Sequence, residues 1–188
     1  MADRINRRGL IIETAASLFI NQGYASTSVR QIADSVGCTE AALYYHFKHG
    51  KRGLLQAVVE NQAPDFMSAL GSCRQAGTLS EFILAYLQNM CGYCQARERH
   101  VQWLISEYPN LNADEKSIFH EKHLMFHAEL VRLLTPYVKD ESEADGLGWM
   151  LICASFGYRQ IFFTLGLDNL VDFPIDKFSS EMASYLTR

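Results

Sequence analysis

Apolar residues recur along most of this chain at intervals of three and four, the spacing of helices that bury one face. No stretch of useful length alternates apolar with polar, so the chain reads as all-α. The pattern predicts a first helix over about 5–21, beginning near Ile5, with Leu10, Ala15, Leu18 and Phe19 on its apolar side and Gly23 as its stop. Two short helices follow. Ser28 and Gln31 have the S-x-x-Q spacing of a capping box, and Ile32, Ala33 and Val36 share a face before Gly37, a residue able to take positive φ in a tight turn. Thr39 is the N-cap candidate of the next helix, in which Leu43 and Phe47 lie one turn apart, face inward and leave the opposite face free. A fourth helix over about 51–62 carries Leu54, Leu55 and Val58 and should break or kink near Pro64. Further helices are expected at about 79–96, 101–108, 113–138, 143–165 and 175–187, separated by Pro109-Asn110, Lys139-Asp140 and the stretch from Gly166 to Pro174.

Two short helices around a glycine turn, the second opening with polar residues, form a unit that can enter the DNA major groove. The string Gly23-Tyr24, Thr27-Ser28-Val29, Ile32-Ala33, Val36-Gly37, Thr39 and Leu43-Tyr44-Tyr45-His46-Phe47, followed by Lys51 and Leu54-Leu55, resembles the TetR family of bacterial transcriptional repressors. The resemblance implies an N-terminal three-helix domain with a helix-turn-helix over 1–52, and a helical effector-binding and dimerisation domain over 53–188. It assigns phosphate contacts to Thr27, Ser28, Tyr44, His46 and Lys51 and places Arg30, Glu40 and Ala41 near base edges; Thr39 and Tyr45 complete the DNA-facing set, with Tyr45 as well suited to a core aromatic as to a contact. Chemistry agrees: arginine pairs with guanine, glutamate accepts from cytosine N4 and alanine packs on a thymine methyl. Glu40 could instead complement the positive end of its own helix. Family members place the lysine three residues after the phenylalanine, whereas Lys51 is four after Phe47, so Lys48, Lys51 and Arg52 all compete for the phosphate.

The charge distribution supports this division. Residues 1–52 hold seven Lys and Arg against four acids, a net of +3, and the remainder ten against seventeen, a net of −7. A basic head on an acidic body suits a head that meets phosphate and argues against an architectural DNA binder, which would be basic throughout. A hydrophobic content of 48% is ample for a core. Met1 to Arg8 is polar and basic, unlike a signal peptide, and no apolar run is long enough for a membrane helix, so no membrane partner and a cytoplasmic location are expected. The five cysteines then read as free thiols.

The stretch from Gly146 to Gly157 is apolar nearly all round, the mark of a helix buried on more than one side. In the family the last two long helices form a dimer's four-helix bundle, which makes Gly157, Ile161, Phe162, Met182 and Tyr185 the expected interface of a homodimer on a palindromic operator of double-stranded DNA. Phe66, Met67, Met90, Trp103, Phe126, Trp149 and Phe156 are the expected lining for a small apolar or aromatic effector, although such residues are also what a plain core contains. No cofactor is called for. Cys91-x-x-Cys94 and the row His120, His123 and His127 offer a weaker reading as a metal or thiol sensor, or as a helical thiol or metal enzyme. The sequence carries no local sign of an activated nucleophile, and an enzyme would leave residues 39–47 unexplained.

Overall fold

The computed structural model describes residues 7–187, without the side chains of residues 62–66. Ile5 and the Phe66 side chain lie outside the described residues. The described chain is a run of helices: α1 (Arg7–Gln22), α2 (Val29–Val36), α3 (Glu40–His46), α4 (Gly50–Ala69), α5 (Leu79–Ala96), α6 (Glu98–Glu107), α7 (Ala113–Leu134), α8 (Glu141–Arg159) and α9 (Ile175–Leu186). Short 3-10 turns join them, and one π turn, Gln160–Thr164, continues α8. Side chains cap the helix starts where the sequence provides them. Thr78 accepts from Glu81 N–H at 3.2 Å, and Asp140 accepts from Glu143 N–H at 2.9 Å.

Two expectations are corrected. Leu10 is exposed, and Ile11 and Ile12 are buried in its place, because the inward stripe of α1 runs through Ile11, Ile12, Ala15, Ala16 and Phe19. Pro64 does not end α4, which continues to Ala69; a proline removes one backbone donor, and a long helix can absorb that loss.

The chain forms two compact units, residues 1–64 with 98–121, and residues 65–97 with 122–188. The first therefore reaches past the expected boundary at residue 52. Its core needs Leu54, Leu55, Val58 and Val59 of α4, Trp103 of α6 and Ile118 and Phe119 of α7. Phe19 is fully buried there, edge-on to Tyr24 with ring centres 5.1 Å apart and stacked on Trp103 at 6.1 Å. Tyr24 fastens α6 and α7 to this core: its N–H donates to Glu107 at 3.2 Å and its hydroxyl to Glu115 at 2.7 Å. Burial and then the Glu115 carboxylate push the Tyr24 phenol well above its ordinary range.

In the second unit α5 packs against α8 and α9 around Phe82, Tyr86, Leu87, Leu130, Leu134, Leu147, Leu151 and Ala183. Polar ties close its edges. Tyr137 donates to the Ala76 carbonyl at 2.6 Å, Tyr158 to the Phe173 carbonyl at 2.9 Å, and Glu129 takes both Arg74 at 2.8 Å and Arg132 at 2.7 Å. Gly148 lets α8 approach α7 closely: a Cβ there would lie 3.1 Å from His127 Nε2, tighter than ordinary contact.

Candidate nucleic-acid interface

The capping box forms: Ser28 Oγ accepts from Gln31 N–H at 3.1 Å while Gln31 Oε1 accepts from Ser28 N–H at 2.7 Å. Gly37 ends α2 in the left-handed region at φ 70°, and the Cys38 N–H closes the turn on the Ala33 carbonyl at 2.9 Å. Thr39 then starts α3 by accepting the Ala42 N–H at 3.2 Å. Local side chains thus fix both helices and the angle between them. Leu43 and Phe47 are buried and pin α3 by one face. Its other face presents Glu40, Ala41, Tyr44 and Tyr45 to solvent, with Tyr45 82% exposed. His46, half-buried, meets Tyr45 edge-on at 5.4 Å.

Behind α3, Gly50 takes φ 56°, and a Cβ there would come within 2.9 Å of the Tyr44 ring. Glycine is what lets Tyr44, 47% exposed, lie over the start of α4. The three competing cations differ in their engagements. Lys51 Nζ donates to the Ala25 carbonyl at 3.1 Å and stands 4.4 Å over the Tyr24 ring, and partial burial holds its pKa below the ordinary lysine value. Arg52 pairs with Asp114 at 3.4 Å. Lys48 is exposed, and no ion pair holds it among the described residues. Arg30 is exposed beside Asp34 at 3.9 Å. Thr27 is buried, donating to the Gly23 carbonyl at 2.8 Å and accepting from Gln22 at 3.2 Å, so its hydroxyl holds the turn.

The expected effector-lining residues are divided. Trp103 belongs to the first core and lines an open cleft of about 420 Å³ together with Phe19, Arg99 and Glu107. Met90 and Phe126 are buried in the second core, and Met67 packs half-buried against it. Trp149 is 40% exposed and stacked on His127 at 4.0 Å, and Phe156 is 51% exposed. Of the expected interface residues, Ile161 and Tyr185 are exposed; Gly157, Phe162 and Met182 are half-buried. A Cβ on Gly157 would meet nothing within 4 Å.

Burial works against the reactivity of the thiols. Burial pushes the Cys91 thiol up to about 11 and raises Cys94 as well, the reverse of activation. His120 bonds the Tyr108 hydroxyl at 2.5 Å, and His127 meets the Asp145 carbonyl at 3.2 Å. Among the described residues no group of three or more His, Cys, Asp or Glu could hold a metal. No described helix is long and apolar enough to cross a membrane. Sequence reading missed Arg159, which is buried in the second unit; its one signal was a lone cation inside the apolar run from Leu151 to Phe163.

Comparison with known proteins fits the first unit. Residues 11–58 match the family model of bacterial regulatory proteins of the tetR family. The HTH-type transcriptional repressor KstR2 of Mycolicibacterium smegmatis is 37% identical over 65 residues, which is 35% of this chain and 29% of that protein. The match therefore spans under a third of this relative's length. In fold, the chain is similar along 98% of its length to 97% of the superantigen PfiT, with a TM-score of 0.76 and 21% identity. It is also similar along 96% of its length to 97% of AibR, solved in complex with isovaleryl coenzyme A and operator DNA, with a TM-score of 0.65 and 18% identity. Residues 11–58 thus form a domain that matches the tetR family of bacterial regulatory proteins.

Proposed function

We propose that this protein is a ligand-responsive transcriptional regulator, a homodimer whose two α3 helices read a palindromic operator and which a small effector releases from DNA. The observation that carries the reading is α3 itself, a helix capped by Thr39, pinned by Leu43 and Phe47, and bare along Glu40, Ala41, Tyr44 and Tyr45. Those side chains cover the tasks of a groove helix: Tyr44 and Ser28 suit phosphate oxygens, while Glu40 and Ala41 suit base edges. Lys48 serves as the most available phosphate cation behind them, and Lys51, already bound to Ala25, contributes charge at a distance.

The apolar exposure along α8, at Trp149, Met150, Phe156 and Ile161, together with Tyr185 of α9, supports pairing with a second copy. Pairing matters because two reading heads about one DNA turn apart, roughly 34–36 Å, hold a palindrome far better than one. KstR2 is a repressor and AibR was solved with both an acyl coenzyme A and DNA, which supports an effector-controlled repressor here. The effector would act by favouring one of two dimer states, and it can lower DNA affinity only by its differential affinity for them.

Titration against duplex fragments from the region upstream of its own gene, over a range of salt, tests the reading. A clear affinity advantage over random duplex is expected. Equal affinity for all duplexes with a steep salt slope would mark a nonspecific binder instead.

A further inference from the structure

Arg159 is 3% exposed at the end of α8, inside the second unit. Its only hydrogen bond among the described residues is a long one, from Nη1 to Thr164 Oγ1 at 3.4 Å; Nε and Nη2 have no partner. No carboxylate forms an ion pair with it among the described residues. A guanidinium taken out of water without an anion is costly, and such groups are retained where something supplies the missing charge. Among the described residues a further buried polar atom beside Arg159 lacks a partner, Gln160 Oε1, next in sequence. The Arg159 charge acts on Cys91 and Cys94 of α5, the helix packed against α8.

The surroundings describe the rest of the ligand. The guanidinium stands 6.0 Å from the Phe156 ring, which is half exposed, and α8 widens into its π turn immediately after Arg159. Such turns recur at functional sites because they re-aim side chains and loosen the backbone ladder. An arginine fork matches a carboxylate in two parallel hydrogen bonds, and aromatic and thiol neighbours match an apolar body.

We propose that Arg159 anchors the carboxylate of a small organic acid with an apolar body, which lies along Phe156. This rests on the effector-responsive reading above and narrows it from any apolar compound to an apolar carboxylate. Burial within one chain favours a small ligand over a carboxylate from a second copy, which would have to reach past the apolar α8 surface.

The test is direct binding without DNA, so that it stands apart from operator recognition. Calorimetric titration of the full chain with a matched pair of probes, decanoate against decanol and phenylacetate against 2-phenylethanol, should show at least one acid binding tenfold or more tighter than its alcohol. Arg159→Met, which keeps the length and removes the charge, should abolish that preference; Arg159→Lys should retain part of it. Circular dichroism checks that each variant is folded. If Arg159→Met does not fold, the acid-over-alcohol preference of the unaltered protein and of Arg159→Lys decides the matter. No preference for either acid, or a preference that survives in folded Arg159→Met, overturns the proposal. Loss of dimerisation in Arg159→Met with no effect on acid binding also overturns it, and would assign the anion to a second copy.

Discussion

The two units handle polar groups differently. In the first, the capping and turn side chains of the reading head close nearby backbone groups: Ser28 and Gln31 cap α2, Thr39 caps α3, and Thr27 ties off Gly23, and Trp103 Nε1 is the buried side-chain atom left without a partner among the described residues there. In the second, polar atoms of Arg159 and Gln160 are buried and unmatched among the described residues, while α8 leaves apolar rings in water. A head whose own side chains cap its helices is a rigid frame for presenting a surface. A region with unmet charge inside and bare apolar surface outside is built to be completed by other molecules. The contrast fits a fixed head that reads and a body that receives a ligand and a second copy.

The two tryptophans let the contrast be measured, since Trp103 sits in the first core and Trp149 in the second unit. With each tryptophan replaced by phenylalanine in turn, the survivor reports on its own unit. The largest effect is expected from Phe19→Ala, which empties the position against Tyr24 and Trp103 and should cost about 3–5 kcal/mol. In a Trp149→Phe background the urea midpoint reported by Trp103 should fall sharply, and in a Trp103→Phe background the Trp149 midpoint should hold. Equal shifts at both reporters would mean one cooperative block rather than two.

Two glycines with positive φ come next. Gly37→Ala should cost about 1–2 kcal/mol for the left-handed backbone alone, since a Cβ there meets nothing within 4 Å. Gly50→Ala should cost more, because its Cβ would press on the Tyr44 ring, and only this variant should also weaken DNA binding. Equal losses of stability would show that Tyr44 gives way freely. Thr39→Ala should follow at about 1 kcal/mol, with Thr39→Gly losing only a few tenths, as expected of an N-cap.

The smallest effect concerns pH. Burial raises the thiols of Cys73 and Cys91 from 9.0 to about 11, so the folded state holds protons that the unfolded state releases first. Their contribution is complete below pH 9 and is lost as pH rises toward 11. The Trp149 midpoint should therefore be flat from pH 7 to 9 and then decline, whereas a rise above pH 9 would contradict these thiol environments. Alkylation at pH 8 should modify exposed Cys153 well before either buried thiol.

The same contrast explains what could be read from the sequence. Caps, the Gly37 turn and the inward pair Leu43 and Phe47 depend on partners within five residues, and each is legible from spacing alone. Trp103 is different. Its place against Phe19 depends on a contact 84 residues away in the chain, so neither composition nor periodicity says which core receives it. Periodicity also allows two adjacent stripes on α1, and packing chose the one through Ile11 rather than Leu10. Arg159 was hidden for a similar reason: a cation in an apolar helix reads as a surface group until the neighbours that bury it are known.

In the proposed function α3 reads sequence and the groups around it hold phosphate. Selection from a pool of random duplexes, run side by side with the unaltered protein and with Glu40→Ala and Tyr44→Ala, tests it most directly. The account predicts that the unaltered protein enriches an inverted repeat, that Glu40→Ala changes the base preferred at one position in each half-site, and that Tyr44→Ala weakens binding to all sequences alike. No enriched repeat, or the same repeat at full preference from Glu40→Ala, would contradict it.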